Sequence, residues 1–247
     1  MVIIHRAGSS PALGTRRSHK PNMSISSHTN GAVQYFQKGT KPSLLILSGM
    51  HGDESEIATC VATYISAHSD TFPEYVYIPQ VSPSAMQQRT RVNAGGHDIN
   101  RKFKSTTDDP EVHALIKILS QHIFSLCVDF HEDPDLSDEV YMYDTGRLIS
   151  SELDTFKQTV VSSGFQLHTG IDDPLDTNLG YDVEDGYVSM QDEVLDDTGF
   201  ASDWMIRHGV TKRVFTLEVP GKASNERKRA LVNILFPFFL SSKFMIQ

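Results

Sequence analysis

The side chains able to do chemistry fall in four short pieces of this 247-residue chain. His51 and Glu54 stand in GMHGDESE, His131 in CVDFHED and Glu218 in FTLEVPG, with Arg91, Asn100 and Arg101 in RTRVNAGGHDINRKF between the first two. Two histidines and a carboxylate are a common catalytic zinc set that leaves a fourth position open for water. In H-x-x-E both side chains leave a tight turn on one side, so His51 and Glu54 can chelate one ion and His131 can complete the set from another segment. Such an ion lowers the pKa of water toward about 7 and polarises a carbonyl. A carboxylate close by, Glu218, can take the proton and pass it to a leaving amine. Arginine offers a planar fork for a substrate carboxylate and positive charge for an oxyanion. Singly these signals are weak. H-x-x-E recurs by chance, a histidine at a strand end more often hydrogen-bonds than ligates, Asn100-Arg101 could be a helix cap beside a solvated charge, and Glu218 could be the buried partner of an arginine. Their order along the chain, each after or on a strand, is what joins them.

The elements that must position these groups follow from apolar periodicity. Ser43–Ser48 (SLLILS) predicts a buried strand ended by Gly49, and Glu54–Ala67 a helix with Ile57, Val61, Tyr64 and Ile65 on one side. Tyr75–Val81 predicts a strand, Asp109–His122 a helix with Pro110 in its first turn, and Ser125–Phe130 another apolar strand. A helix over Leu148–Val161 precedes Gly164–Thr198, a stretch dense in Asp, Gly and Thr that reads as a functional loop or as unrecognised short strands. Asp203–His208 predicts a short helix, Arg213–Val219 a final central strand and Lys222–Leu240 a terminal helix, while Val33–Phe36 predicts a short early strand. Apolar strands alternating with helices imply a single α/β domain, a mixed, mainly parallel twisted sheet with helices on both faces, over residues 31–247. A polar arm over residues 1–30 precedes it, carrying His5, His19 and His28. Ligands in such folds gather at the carboxyl ends of the strands, where His51, Glu54, His131 and Glu218 fall.

Composition narrows the function. The chain has 22 Lys and Arg against 31 Asp and Glu, a net charge of −9, which argues against nucleic acid or an anionic membrane as partner. Ala230–Leu240, the most apolar late stretch, is interrupted by Asn233 and Pro237 and falls well short of the roughly 20 residues of a spanning helix. The apolar run in MVIIHRAGSS is too short for a secretory signal, so a cytoplasmic protein is expected. Cys60 and Cys127 lie in apolar stretches and read as buried thiols in a reduced compartment.

From about Lys41 to Leu240 the series strand-HGDE, R-x-N, D-I-N-R, strand-DFH and strand-TLE resembles the zinc carboxypeptidase family of carboxypeptidase A type. Its relatives among the murein-peptide amidases and the succinylglutamate desuccinylase/aspartoacylase group are included in the resemblance. The resemblance implies one zinc ion held by His51, Glu54 and His131, with Glu218 as general base. It implies that Asn100 and Arg101 hold the substrate's terminal carboxylate and that Asp98 supports His51. Arg91 matches the arginine that stabilises the oxyanion, with Arg89 near enough to compete. The pieces GMHGDE, DFHEDP and TLEVPG look most like the murein-peptide amidase type, which cleaves the γ-D-glutamyl bond to meso-diaminopimelate in the cytoplasm. The substrate would then be a small peptide.

Two alternatives stay open. One is a deacylase of the succinylglutamate desuccinylase/aspartoacylase type acting on acylated amino acids. Thr216 two before Glu218 and Pro220-Gly221 after it tilt toward the peptidase branch, as does the short remainder of about 30 residues, too few for the deacylases' extra C-terminal domain. The other is a non-catalytic metal- or peptide-binding module, which has no need of a base at Glu218. One departure from the digestive-type pattern concerns its mobile tyrosine, some nine residues before an Asp-Trp pair. The pair is present as Asp203-Trp204, but the stretch before it holds Asp192, Glu193, Asp196 and Asp197, and the nearest tyrosine is Tyr187 beyond a Gly-rich bend. Those carboxylates read either as a solvated loop or as selectors of a substrate with a free amino group.

Overall fold

A computed structural model describes residues 24–173, 176, 179–191 and 197–245. In chain order the elements are strands β1 (Ile25–Asn30), β2 (Val33–Lys38) and β3 (Leu44–Ser48), helix α1 (Ser55–His68), strand β4 (Tyr75–Ile78), then helices α2 (Pro83–Gln88) and α3 (Pro110–Leu119). Strands β5 (Leu126–Asp133) and β6 (Glu139–Asp144), helix α4 (Ser150–Ser162) and the short strands β7 (Gln166–Leu167), β8 (Gly170–Ile171), β9 (Asp182–Val183) and β10 (Tyr187–Ser189) follow. Helix α5 (Ala201–Arg207), strand β11 (Val214–Pro220) and helices α6 (Asn225–Phe239) and α7 (Ser242–Met245) complete the described chain.

The main sheet runs β1-β2-β4-β3-β5-β11-β6-β10, with β7 also on β6 and a separate pair β8-β9. Its centre is parallel, β4 with β3, β3 with β5 and β5 with β11, whereas β1, β2 and the β11-β6 pair are antiparallel. Alternation along each strand divides the core between two faces. Leu44, Ile46, Leu126, Val128, Phe130, Phe215 and Leu217 pack under α1, α4 and α6, against Ile57, Val61, Phe156, Leu231 and Phe236. Leu45, Leu47, Cys127 and Val214 face the other way, under α3 and α5, against Val112, Leu115, Ile118 and Trp204. Continuing that second face along β5 and β11 leads from Cys127 to Asp129 and His131, and from Val214 to Thr216 and Glu218. The apolar stripe thus gives way to titratable groups at the carboxyl ends of adjacent strands.

Local chemistry fixes the helix starts. Asp109 caps α3 by accepting from Glu111 N at 2.9 Å and Val112 N at 3.2 Å, with Pro110 at the first helical position. Ser224 caps α6. No helix among the described residues is long and apolar enough to cross a membrane.

Three features differ from the sequence reading. Ile25–Asn30, expected within the arm, is a strand paired antiparallel with β2; it is solvent-exposed, so it carries no apolar alternation to read. Strand β5 runs on to Asp133, which puts His131 inside the strand. Strand β6, for which the sequence raised no expectation, lies beside β11, whereas β7 to β10 are short strands of the kind expected as one form of the stretch 164–198.

Candidate active site

A cleft of about 590 Å³ opens at the carboxyl ends of the central strands, a volume suited to a small ligand. His51, Glu54, Arg91, Asp98, Asn100, Arg101, His131 and Glu218 all line it. The turn that delivers His51 begins at Gly49, whose φ of +67° suits a residue without Cβ. Gly52 then packs so closely on α2 that a Cβ would stand 1.8 Å from the Ala85 carbonyl oxygen. Gly52 N donates to Thr90 O at 2.9 Å, which ties this turn to the segment carrying Arg91.

Glu54, the residue before α1, is buried between two buried imidazoles. His51 Nδ1 lies 2.5 Å from Glu54 Oε1, and His131 Nδ1 lies 3.1 Å from Glu54 Oε2. The opposite ring nitrogens meet other carboxylates: His51 Nε2 is 3.1 Å from Asp98 Oδ1, and His131 Nε2 is 3.2 Å from Asp129 Oδ2. Both His131 contacts are ion pairs not aligned as hydrogen bonds, so Glu54 Oε2 and His131 Nε2 are buried polar atoms without a hydrogen-bond partner. Ligand atoms of His51, Glu54 and His131 lie within 4.8 Å of one another. Two imidazoles and a carboxylate with an unsatisfied oxygen fit a divalent ion of zinc type.

The electrostatics favour a cation here. Burial alone would raise the Glu54 carboxyl, but the charges and contacts of His51 and His131 outweigh it and hold that carboxyl far below the ordinary range. Burial opposes protonation of the two imidazoles, yet Glu54 and Asp98 draw His51 above its ordinary value, and Asp129 and Glu54 draw His131 well above. Glu218 stands beside His131 in the parallel register of β11 and β5. Burial pushes its carboxyl up to about 7, with Glu54 and Asp133 adding to the rise and His131 and His51 opposing it.

Asp98 is the hub of the opposite wall. It caps the short turn Ile99–Arg101 by accepting from Asn100 N at 2.9 Å, meets His51, and receives Arg91 Nε at 3.1 Å and Arg91 Nη2 at 3.0 Å. Burial works against the charged form of Asp98, but His51, Arg91 and Arg101 hold its carboxyl below the ordinary range. Arg91 also comes within 4.0 Å of Glu54. Arg89 is exposed, ends α2 with a left-handed φ of 56° and does not line the cleft, so Arg91 is the arginine that meets the cluster. Asn100 Oδ1 accepts from Ala201 N at 2.9 Å. Arg101 stacks 4.2 Å over the Phe200 ring and forms an ion pair with Asp176.

Solved structures share this arrangement of strands and helices. A Shewanella denitrificans protein described as a proposed metallopeptidase superposes with TM-score 0.71 at 21% identity, over 90% of this chain and 85% of that one. A metallo-carboxypeptidase from Burkholderia cenocepacia gives TM-score 0.61 at 16% identity, over 90% and 65%. The carboxypeptidase A of Helicoverpa armigera gives 0.57 at 14%, over 91% and 69%. This chain has the zinc carboxypeptidase-like fold. An aspartoacylase family protein from Mesorhizobium loti shares it more distantly, TM-score 0.52 at 14% identity, over 92% of this chain and 71% of that one. No protein-family model matches the sequence, and no curated protein matches it.

Within the carboxypeptidase-like fold, Tyr187 does not reach the main cleft. Its hydroxyl donates to Asp144 Oδ2 at 2.6 Å and accepts from Leu148 N at 2.9 Å, in a network with Arg213 at the sheet edge. Three tyrosines line the cleft, Tyr181 and the β6 residues Tyr141 and Tyr143, the last two in register with Glu218 and Thr216 of β11. Tyr141 donates to Asp133 Oδ2 at 3.0 Å, and Tyr143 donates to Asp172. The Y-M-Y alternation in EVYMYD is the sequence signal that marks them. Asp129 was equally legible as the residue two before His131 on one strand face. Of the acidic stretch, Asp192, Glu193 and Asp196 lie outside the described residues. Asp197 pairs with Arg207 at 3.3 Å on the surface and does not line the cleft.

Proposed function

We propose that the protein is a zinc-dependent hydrolase that cleaves a peptide or amide bond next to a terminal carboxylate. The reading rests above all on one observation: Glu54 sits between His51 and His131 while Glu218 stands beside His131 on the adjoining parallel strand. Zinc held by His51, Glu54 and His131 would supply a Lewis acid that polarises a carbonyl and acidifies water.

The chain's own residues carry the rest. Glu218, which lines the cleft beside His131, takes a proton from the attacking water and returns it to the leaving amine. Arg91, oriented through Asp98, offers a guanidinium to the developing oxyanion. Arg101 and the Asn100 amide, held by its bond to Ala201 N, receive the terminal carboxylate, which displaces Asp176 from Arg101. Asp98 and Asp129 face the outer nitrogens of His51 and His131 and orient both rings.

Within this reading the favoured substrate is a murein-type peptide with a γ-D-glutamyl bond to diaminopimelate, on the strength of the pieces GMHGDE, DFHEDP and TLEVPG. The second reading, an N-acyl amino-acid deacylase, draws support from the likeness to the aspartoacylase family protein. Metal analysis together with a panel of γ-D-Glu-diaminopimelate peptides, ordinary C-terminal peptides and N-acyl amino acids separates them. Turnover of the first group supports the favoured reading, and turnover confined to the third replaces it with the deacylase. Bound zinc with no turnover on any of them returns the protein to a binding module.

A further inference from the structure

Lys228, on α6, has its whole side chain inside the protein at 0% exposure and does not line the cleft. An ammonium carries three N–H donors and no acceptor. Here three oxygens surround it: Glu132 Oε2 at 2.6 Å, Glu56 Oε2 at 2.7 Å and Gly221 O at 2.8 Å. Each oxygen belongs to a different segment. Glu132 follows His131 on β5, Glu56 lies two residues after Glu54 in the first turn of α1, and Gly221 follows β11 three residues after Glu218.

A second set of bonds closes the same triangle. Glu132 Oε1 accepts from Ile57 N at 2.5 Å, so the carboxylate beside His131 also fastens the start of α1 beside Glu54. Gly221 N donates to Asp133 O at 2.8 Å, joining the end of β11 to the end of β5.

We propose that Lys228 is a positioning residue for the metal centre, a buried cation that sets the spacing between the segments bearing Glu54, His131 and Glu218. The proposal rests on the reading of His51, Glu54 and His131 as ligands. Without the ammonium, Glu132 stays buried beside Glu56 with no counter-charge, and the β5 end and the α1 start lose their common anchor. Ligand atoms then have to be drawn together by the ion itself, and affinity falls. Loss of an outer partner of a metal ligand weakens binding about 10–100-fold.

The test uses the full chain as wild type, Lys228→Met, Glu132→Gln and Leu115→Ala. Leu115 lies in the core under the opposite sheet face and serves as a control for stability alone. Zinc affinity is measured by competition with a chromophoric chelator, and ligand geometry by the visible spectrum of the cobalt-substituted protein. Lys228→Met, which removes a group one step beyond the ligands' direct partners, is expected to bind zinc about 10-fold more weakly, the low end of that range, with shifted cobalt bands. Glu132→Gln, in which Lys228 keeps Glu56 and Gly221, shifts both in the same direction and carries the test if Lys228→Met does not fold. Leu115→Ala keeps wild-type affinity and spectrum despite a lower melting temperature. Unchanged affinity and spectrum in the Lys228 and Glu132 variants would overturn the proposal, as would an equal loss in Leu115→Ala. Wild-type protein that takes up no zinc at all would overturn the ligand reading itself, and the role of Lys228 with it.

Discussion

Arg101 and Asp176 form an ion pair inside the cleft, with the guanidinium stacked on Phe200. In the proposed reaction a substrate carboxylate has to take the place of the Asp176 carboxylate. Partly exposed ion pairs contribute roughly 0–1 kcal/mol. Asp176→Asn is therefore expected to lower KM for carboxylate-terminated substrates about 2–5-fold with kcat little changed. Steady-state kinetics check this; a rise in KM would mean that Asp176 contacts the substrate favourably.

Asp129 faces His131 Nε2 on the side away from Glu54. Its removal frees the ring to turn and lowers its basicity. Asp129→Asn should weaken zinc binding about 10–100-fold, measured by chelator competition, and unchanged affinity would assign the orientation of His131 to other contacts.

Glu218 gives a pH dependence whose sign follows from burial. Its carboxyl in the fold lies near 7, above the ordinary 4.5, so the folded chain holds this proton more tightly than the unfolded chain does. The resulting stability is present at low pH and is lost as pH rises toward 7. Glu218→Gln keeps a neutral group at every pH. In chelator-treated protein its melting temperature should exceed wild type at pH 8, with the gap closing toward pH 5. A gap of the same size at both values would contradict the shift.

Asp109 behaves in the opposite sense. It caps α3 and also accepts from Asn93 Nδ2 at 2.6 Å and His97 Nδ1 at 2.9 Å. Burial opposes ionisation, but the bonds from His97, Asn93 and the α3 backbone hold its carboxyl below the ordinary 3.8. Its contribution is present above that value and is lost as pH falls through the folded one. Asp109→Asn should cost about 1–3 kcal/mol in urea unfolding at pH 7, and less as pH falls below 3.8. An equal cost at all pH values would show that the charge is not what matters.

What the sequence made legible is tied to strand ends. His51, Glu54, Asp98, Asn100, Arg101, His131 and Glu218 were all nameable because each follows or ends an apolar strand or stands in a short polar motif, and the structure brings them to one cleft. The central strands were readable because they are continuous apolar runs buried on both faces, and the helices because apolar residues recur along one side. Lys228 was not, because NERKRALVN shows it as one of several charges on a helix. Only the packing of α6 on α1 brings it to Glu56, 172 residues away in sequence. The Arg101–Asp176 pair is hidden for the same reason. The alternation in EVYMYD marks β6 as a strand, but its place beside β11, which follows only after α4 and α5, is set by long-range pairing that no local pattern shows.

The central claim is that Glu218 moves the proton in a zinc-dependent hydrolysis. It is tested most directly by turnover and zinc content of Glu218→Gln, measured together on whichever substrate the wild type cleaves. The account predicts one zinc per chain retained and turnover lower by about 10²–10⁴. Wild-type turnover in a zinc-loaded Glu218→Gln protein would contradict it.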